Sequence, residues 1–244
     1  MGILNVTPDS FFDGGCYAAV DAAVAHARRM IAEGADILDV GGQSTRPGHT
    51  PCSPEEEWAR LEGVLPALCA LGVPVSVDTY YVQVARRAVA AGAVIINDVS
   101  GSMENGMLSV AAETGAGLVL MAPCADVRGY FEKATAAAVS AGIAPSQLCL
   151  DVGIGFGKTR QQDRQTVADL PRLTAGFDRP VLVGASRKRV TGEEVPPEQR
   201  LGGTLALHAL AQWQGASVLR VHDVYEAVQA TRLTAQVMQE VSYG

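Results

Sequence analysis

The chain alternates short apolar runs with longer alanine-rich segments whose apolar positions recur at helical spacing. The runs are "GILNV" (2–6), "DILDVGG" (36–42), "VPVSVDT" (73–79), "VIINDVSG" (94–101), "GLVLMAP" (117–123), "QLCLDVG" (147–153), "PVLVGAS" (180–186) and "SVLRVHD" (217–223). Each is apolar at both parities, as a strand covered on both faces is. Between them the spacing predicts helices over 18–34, 54–71, 80–91, 106–115, 129–141, 163–175, 199–214 and 224–240. "SPEEEW" opens the second of these with Ser53 as N-cap and Pro54 in the first turn. "AEGAD", "AAGAV" and "WQGAS" each place a glycine between helix and strand, where a C-cap belongs. Eight strand–helix units in 244 residues predict an α/β chain folded as a (β/α)8 TIM barrel, one domain spanning 1–244. A doubly wound open sheet would not need eight units, and no linker splits the pattern.

Composition narrows the function. A formal charge of −7 argues against a nucleic-acid surface. No apolar run reaches the ~18 residues of a membrane span, and the opening "MGILNVTPDSFF" lacks the basic start of a signal peptide. A cytoplasmic protein is expected. The five cysteines, Cys16, Cys52, Cys69, Cys124 and Cys149, show no metal-ligand spacing. Only three lysines occur, and two of them, Lys158 and Lys188, follow strand-like runs. Such sparing placement suggests an anion site.

In a barrel the site lies at the C-terminal ends of the strands. Those ends offer Asn5, then Ser44, Thr45 and Arg46, then Asp78, Asn97 with Asp98, Asp151, Ser186 with Arg187 and Lys188, and finally Arg220, His222 and Asp223. The fifth strand ends on apolar Met121. A lone aspartate at a strand end is usually a turn former. Polar residues at seven of eight ends are harder to explain that way. Arg46, Lys188, Arg220 and His222 can neutralise an anion such as pyrophosphate. Asp78, Asn97 and Asp151 can pair with the N–H groups of a 2-amino-4-oxo heterocycle. Met121 and Phe156 could wall a flat ring, although core filling explains them equally. His26 and His208 lie within predicted helices and read as structural. "LDVGIGFGKT" (150–159) is not a Walker loop, since Val152 stands where the first glycine is required.

The motifs "MGILNVTPDSF", "GGQSTRPG", "SVDT", "IINDVSG", "LDVGIGFGKT", "LVGASRK" and "RVHDV" resemble, in order along the chain, those of the dihydropteroate synthases of folate biosynthesis. The resemblance implies the same barrel. It also implies a Mg²⁺-dependent transferase that joins p-aminobenzoate to 6-hydroxymethyl-7,8-dihydropterin pyrophosphate, giving dihydropteroate and pyrophosphate. By motif position, Asp78, Asn97, Met121, Asp151, Lys188 and Arg220 would hold the pterin. Asn5, Arg46, Arg220 and His222 would bind pyrophosphate, with Asn5 on the magnesium. Thr45, Pro47, Phe156 and Ser186 would line the p-aminobenzoate pocket, where sulfonamides compete. Lys188, Arg220, His222 and Asp78 would carry catalysis, and the loops 7–15 and 44–51 would close over the intermediate. Homodimerisation is also implied.

The chain departs from the family pattern at Phe12, Gln43 and Val152, where serine, glutamate and proline are usual. It lacks the His-Met signature after the fifth strand, has a short segment between the fifth and sixth, and starts on the first strand. Lys158 receives no role. Two other readings fit parts of the pattern. A methyltetrahydrofolate–corrinoid methyltransferase shares the pterin contacts but has no pyrophosphate to hold. A non-catalytic pterin-binding paralogue would not need the anion set.

Overall fold

The computed structural model describes residues 1–6, 16–43 and 51–242. Eight parallel strands follow the chain in order and pair with their neighbours: β1 (Gly2–Asn5), β2 (Leu38–Gly41), β3 (Val75–Asp78), β4 (Ile95–Asp98), β5 (Gly117–Met121), β6 (Leu148–Asp151), β7 (Val181–Val183) and β8 (Val218–Leu219). Each coincides with one of the apolar runs. The sheet curls until its ends meet. A parallel bridge joins Gly2 to Val221, Ile3 N–H donates to Val221 O at 2.9 Å, and Val221 N–H donates to Met1 O at 3.0 Å.

Helices connect the strands: α1 (Cys16–Ala32), α2 (Pro54–Leu61), α3 (Leu65–Cys69), α4 (Val82–Ala90), α5 (Met107–Thr114), α6 (Val127–Ser140), α7 (Arg160–Ala168), α8 (Leu170–Thr174), α9 (Leu201–Trp213) and α10 (Val224–Ser242). Two helices expected to be continuous are broken. The segment 54–71 divides before Pro66 and the segment 163–175 divides before Pro171. A proline has no N–H to donate and its ring clashes with the carbonyl four residues back, so it sits in the first turn of a new helix. The N-cap of α2 is as read: Ser53 Oγ accepts from Glu56 N–H at 3.2 Å while Glu56 Oε2 accepts from Ser53 N–H at 2.7 Å. An equivalent reciprocal pair between Thr159 and Gln162 starts α7 three residues earlier than periodicity suggested. Gly34, Gly92 and Gly215 have φ of +104°, +112° and +100°, the left-handed conformation that ends a helix before a strand.

The strands are not apolar on both faces in the same sense. One parity, including Leu4, Val40, Val77, Ile96, Leu120, Leu150 and Val183, packs outward with the helices as the continuous core. The other parity points inward, and there the apolar residues give way to Asn5, Asp39, Asp78, Asn97 and Asp151. Two glycines lie among them, at positions where a Cβ would make ordinary van der Waals contact. A Cβ on Gly41 would lie 3.5 Å from Asp78 Cβ and 3.7 Å from Asn5 Oδ1, and one on Gly184 would lie 3.6 Å from Arg220 Cβ.

Candidate active site inside the strand ends

Asp78 on β3, Asn97 on β4 and Arg220 just after β8 meet across the interior. Arg220 Nη2 donates to Asp78 Oδ2 and its Nε donates to Asp39 Oδ2, both at 2.5 Å. Asn97 Nδ2 donates to the same Asp39 oxygen at 3.1 Å. Asp39 is fully buried in the middle of β2 and joins two residues named from the motifs, yet the sequence reading passed over it. Its signal was present: a carboxylate at the inward parity of an otherwise apolar strand, costly unless paired. Burial works against the Arg220 charge. Asp39 and Asp78 outweigh it and push the guanidinium pKa up.

Asp78 experiences the reverse. Burial raises its pKa to about 7, Arg220 opposes the rise, and the nearby Asp39 and Glu57 charges add to it. Asp151 is also raised by burial, with Lys188 pulling it back. Its Oδ1 accepts from Gly153 N–H at 2.8 Å. Lys188 Nζ donates to Ile154 O at 2.6 Å and stands 4.5 Å from the centre of the Phe156 ring. Burial lowers the Lys188 pKa to about 8, and Asp151 opposes that. Met121, at the end of β5, is buried on the same inward face beside Asp151, its register partner.

Four buried oxygens on β2–β4 have no hydrogen-bond partner: Asp39 Oδ1, Ser76 Oγ, Asp78 Oδ1 and Asn97 Oδ1. Three of them are carbonyl or carboxylate acceptors. Buried polar atoms are normally satisfied, so these suit a flat guest rich in N–H donors.

Toward the rim, Ser186 Oγ and His222 Nδ1 are 2.9 Å apart, and His222 N–H donates to Ser186 Oγ at 3.2 Å. Residues assigned by motif to the p-aminobenzoate pocket and to pyrophosphate thus share one contact. Arg187, at φ +58°, turns away and forms a two-pronged pair with Asp223 at 3.0 and 2.5 Å. A cavity of about 630 Å³ opens beside Asn5 and His222 and reaches Arg29 on α1. His208 reads correctly as structural. Its Nε2 accepts from Ala185 N–H at 3.1 Å, and burial lowers its pKa to about 4.

Thr45, Arg46 and Pro47 lie outside the described residues, as do Phe12 and the loops 7–15 and 44–50. The departures at Val152 and Gln43 are accommodated. Val152 is fully buried in the core, and its N–H, which proline lacks, points to Leu182 O at 3.4 Å. Gln43 Oε1 accepts from Cys52 N–H at 2.7 Å. Lys158 is not part of an anion site: its Nζ donates to Ala122 O, Gly153 O and Phe156 O at 2.9, 2.9 and 3.3 Å. No cluster of three or more His, Cys, Asp or Glu among the described residues could hold a metal. Asn5 supplies one hard oxygen at the mouth. That fits a magnesium held mainly by substrate phosphates, a usual arrangement for this ion.

The profile of the family described as pterin binding enzyme matches residues 1–222. The dihydropteroate synthase of Escherichia coli K12 is 44% identical over 252 aligned residues, covering 96% of this chain and 89% of that protein. The solved dihydropteroate synthase of Xanthomonas albilineans with 4-aminobenzoic acid superposes with a TM-score of 0.91 at 45% identity, covering 98% of this chain and 92% of that one. That of Yersinia pestis, in complex with a sulfonamide drug, does so with a TM-score of 0.89 at 41% identity, covering 98% and 94%. The chain belongs to the dihydropteroate synthase family of pterin binding enzymes.

Proposed function

We propose that the chain is a transferase that condenses p-aminobenzoate with 6-hydroxymethyl-7,8-dihydropterin pyrophosphate, working from a single (β/α)8 barrel over 1–244. The four unpartnered oxygens on β2–β4 carry this reading. The 2-amino-4-oxo edge of a pterin supplies the N–H groups that Asp39, Asp78 and Asn97 lack, with Asp151 and Met121 beneath the ring. Lys188 and Arg220 place positive charge beside it, and His222 with Asn5 faces the mouth where pyrophosphate would sit. Arg46 would join them from the second loop. Thr45, Pro47, Phe156 and Ser186 would receive the second substrate, and sulfonamides in its place. A magnesium on Asn5 would neutralise pyrophosphate charge.

The chemistry needs no protein nucleophile. The bond from the pterin methylene carbon to pyrophosphate oxygen breaks, and the electron pair leaves with the anion. The ring nitrogens spread the resulting positive charge. The arylamine nitrogen then attacks the methylene and sheds one proton. The protein holds the leaving anion, aligns the two rings and excludes water. The retained cations Lys188 and Arg220 favour this over a pterin-binding methyltransferase or a non-catalytic binder.

No helix among the described residues is long and apolar enough to cross a membrane. Leu210 and Trp213 on α9 and Leu233 and Val237 on α10 are exposed. This apolar face supports a homodimer, in the cytoplasm, where folate synthesis would place it. The test is release of pyrophosphate on mixing the dihydropterin pyrophosphate, Mg²⁺ and p-aminobenzoate, with dihydropteroate identified by mass. Tight pterin binding without turnover would exclude the transferase reading.

A further inference from the structure

Lys158 is the conspicuous charge that the reaction leaves unused. An ammonium has three N–H donors, and each has a backbone carbonyl within reach: Ala122 O and Gly153 O at 2.9 Å and Phe156 O at 3.3 Å. Nothing remains to bind an anion. The three carbonyls come from two different loops, the one after β5 and the one after β6.

Those loops are in backbone contact at two further points. Gly153 and Gly157 have φ of +64° and +59°. A Cβ on Gly153 would fall 2.0 Å from Ala122 O, and one on Gly157 would fall 1.9 Å from Pro123 O. Only glycine permits this approach. The turn 153–157 therefore lies flat against the loop after β5, with Lys158 fastening it. Gly153 O accepts from both Lys158 Nζ and Phe156 N–H, the latter at 3.1 Å. On its other side the same turn presents two features to the site, Ile154 O to Lys188 Nζ at 2.6 Å and the Phe156 ring at 4.5 Å from that nitrogen.

We propose that Lys158 is a positioning residue for the second substrate: by binding both loops it holds Phe156 against Lys188 and so fixes one wall of the p-aminobenzoate site. This rests on the synthase reading above. Lys188 also faces Asp151, which attracts it independently. Loss of the fastener therefore acts first on Phe156.

The test uses the full chain with Lys158→Met, Lys158→Gln and Lys158→Arg, each checked for native thermal unfolding. In K158M the KM for p-aminobenzoate rises at least tenfold, while kcat and the Kd of the dihydropterin pyrophosphate stay within threefold. K158R, which keeps N–H donors of similar reach, returns that KM to within threefold of native, and K158Q lies between. A p-aminobenzoate KM within twofold of native in K158M overturns the proposal. So does a pterin Kd that rises in parallel, the mark of general loosening. If K158M does not fold, a native KM in K158Q overturns it equally.

Amide hydrogen exchange of the turn gives a readout independent of turnover. Exchange at Phe156 quickens at least tenfold in K158M, and unchanged exchange refutes the fastener even if the native chain proves not to be a synthase. Absence of pyrophosphate release from the native protein would count against the synthase reading alone.

Discussion

Glu57 makes a stability prediction with a definite sign. It lies on α2, 1% exposed, and its Oε2 accepts from Thr79 Oγ1 at 2.8 Å. Gly42 leaves no slack above it, since a Cβ there would come within 2.9 Å of Glu57 Cγ. Burial raises the Glu57 pKa from 4.5 to about 7. Between those values the folded chain binds a proton that the unfolded chain has released, so stability falls as pH rises through the window. At 1.36 kcal/mol per pH unit the full cost above pH 7 is about 3 kcal/mol. Glu57→Gln keeps an oxygen for Thr79 and removes the titration. It should match the parent within about 1 kcal/mol at pH 5, where both side chains are neutral and hydrogen-bonded. At pH 8.5 it should be the more stable by roughly 2–3 kcal/mol. Asp78 has the same sign of dependence and titrates in both proteins. The Glu57 charge also raises Asp78, so its removal eases Asp78 ionisation and widens the gap. Urea unfolding followed by far-ultraviolet circular dichroism at the two pH values measures it. A difference between the proteins that is the same at pH 5 and pH 8.5 would refute the argument.

Three other outcomes are expected. Lys188→Ala and Arg220→Ala each lower kcat/KM by about a hundredfold or more, as loss of one charge-stabilising donor does; near-normal rates in steady-state pyrophosphate release would show the anion-site assignment to be wrong. Asn5→Ala raises the Mg²⁺ concentration for half-maximal rate at least about tenfold, since it removes a direct oxygen ligand and even an outer-shell contact is worth roughly that much, and leaves pterin affinity without magnesium unchanged in calorimetry. Gly157→Ala, at φ +59° and with its Cβ 1.9 Å from Pro123 O, destabilises the chain by at least about 2 kcal/mol, read as a lowered Tm; an unchanged Tm would contradict the loop contact.

The strand order was legible because each strand is a short apolar run set between helix signals, and those signals do not depend on tertiary context. Boundaries were less so, and the reasons are local. Pro66 and Pro171 break helices that apolar spacing alone makes continuous. Thr159 and Gln162 start α7 with a reciprocal cap that lies outside the apolar pattern. Sequence periodicity also registered the strands as apolar on both faces, because most of the inward polar residues, such as Asn5, Asp78 and Asp151, fall at the last positions, where they look like turn formers.

The same ambiguity explains the uneven reading of the site. Asp78, Asn97 and Asp151 stand at strand ends, so a barrel argument picks them out one by one. Asp39 stands two residues before the end of β2, where an isolated carboxylate has no strand-end rationale, and its meaning appears only with its partners. Arg220 comes from the far end of the chain, 181 residues away, to pair with it. Asn97, held to the same oxygen from β4, is tied to that pair. Breaking one member of a buried ion pair costs about 3–5 kcal/mol because the other charge remains uncompensated. Asp39 is therefore as necessary to the position of Arg220 as any residue that the motifs name. Its Oδ1 keeps no hydrogen-bond partner beside that pair, and a buried acceptor left unsatisfied costs stability.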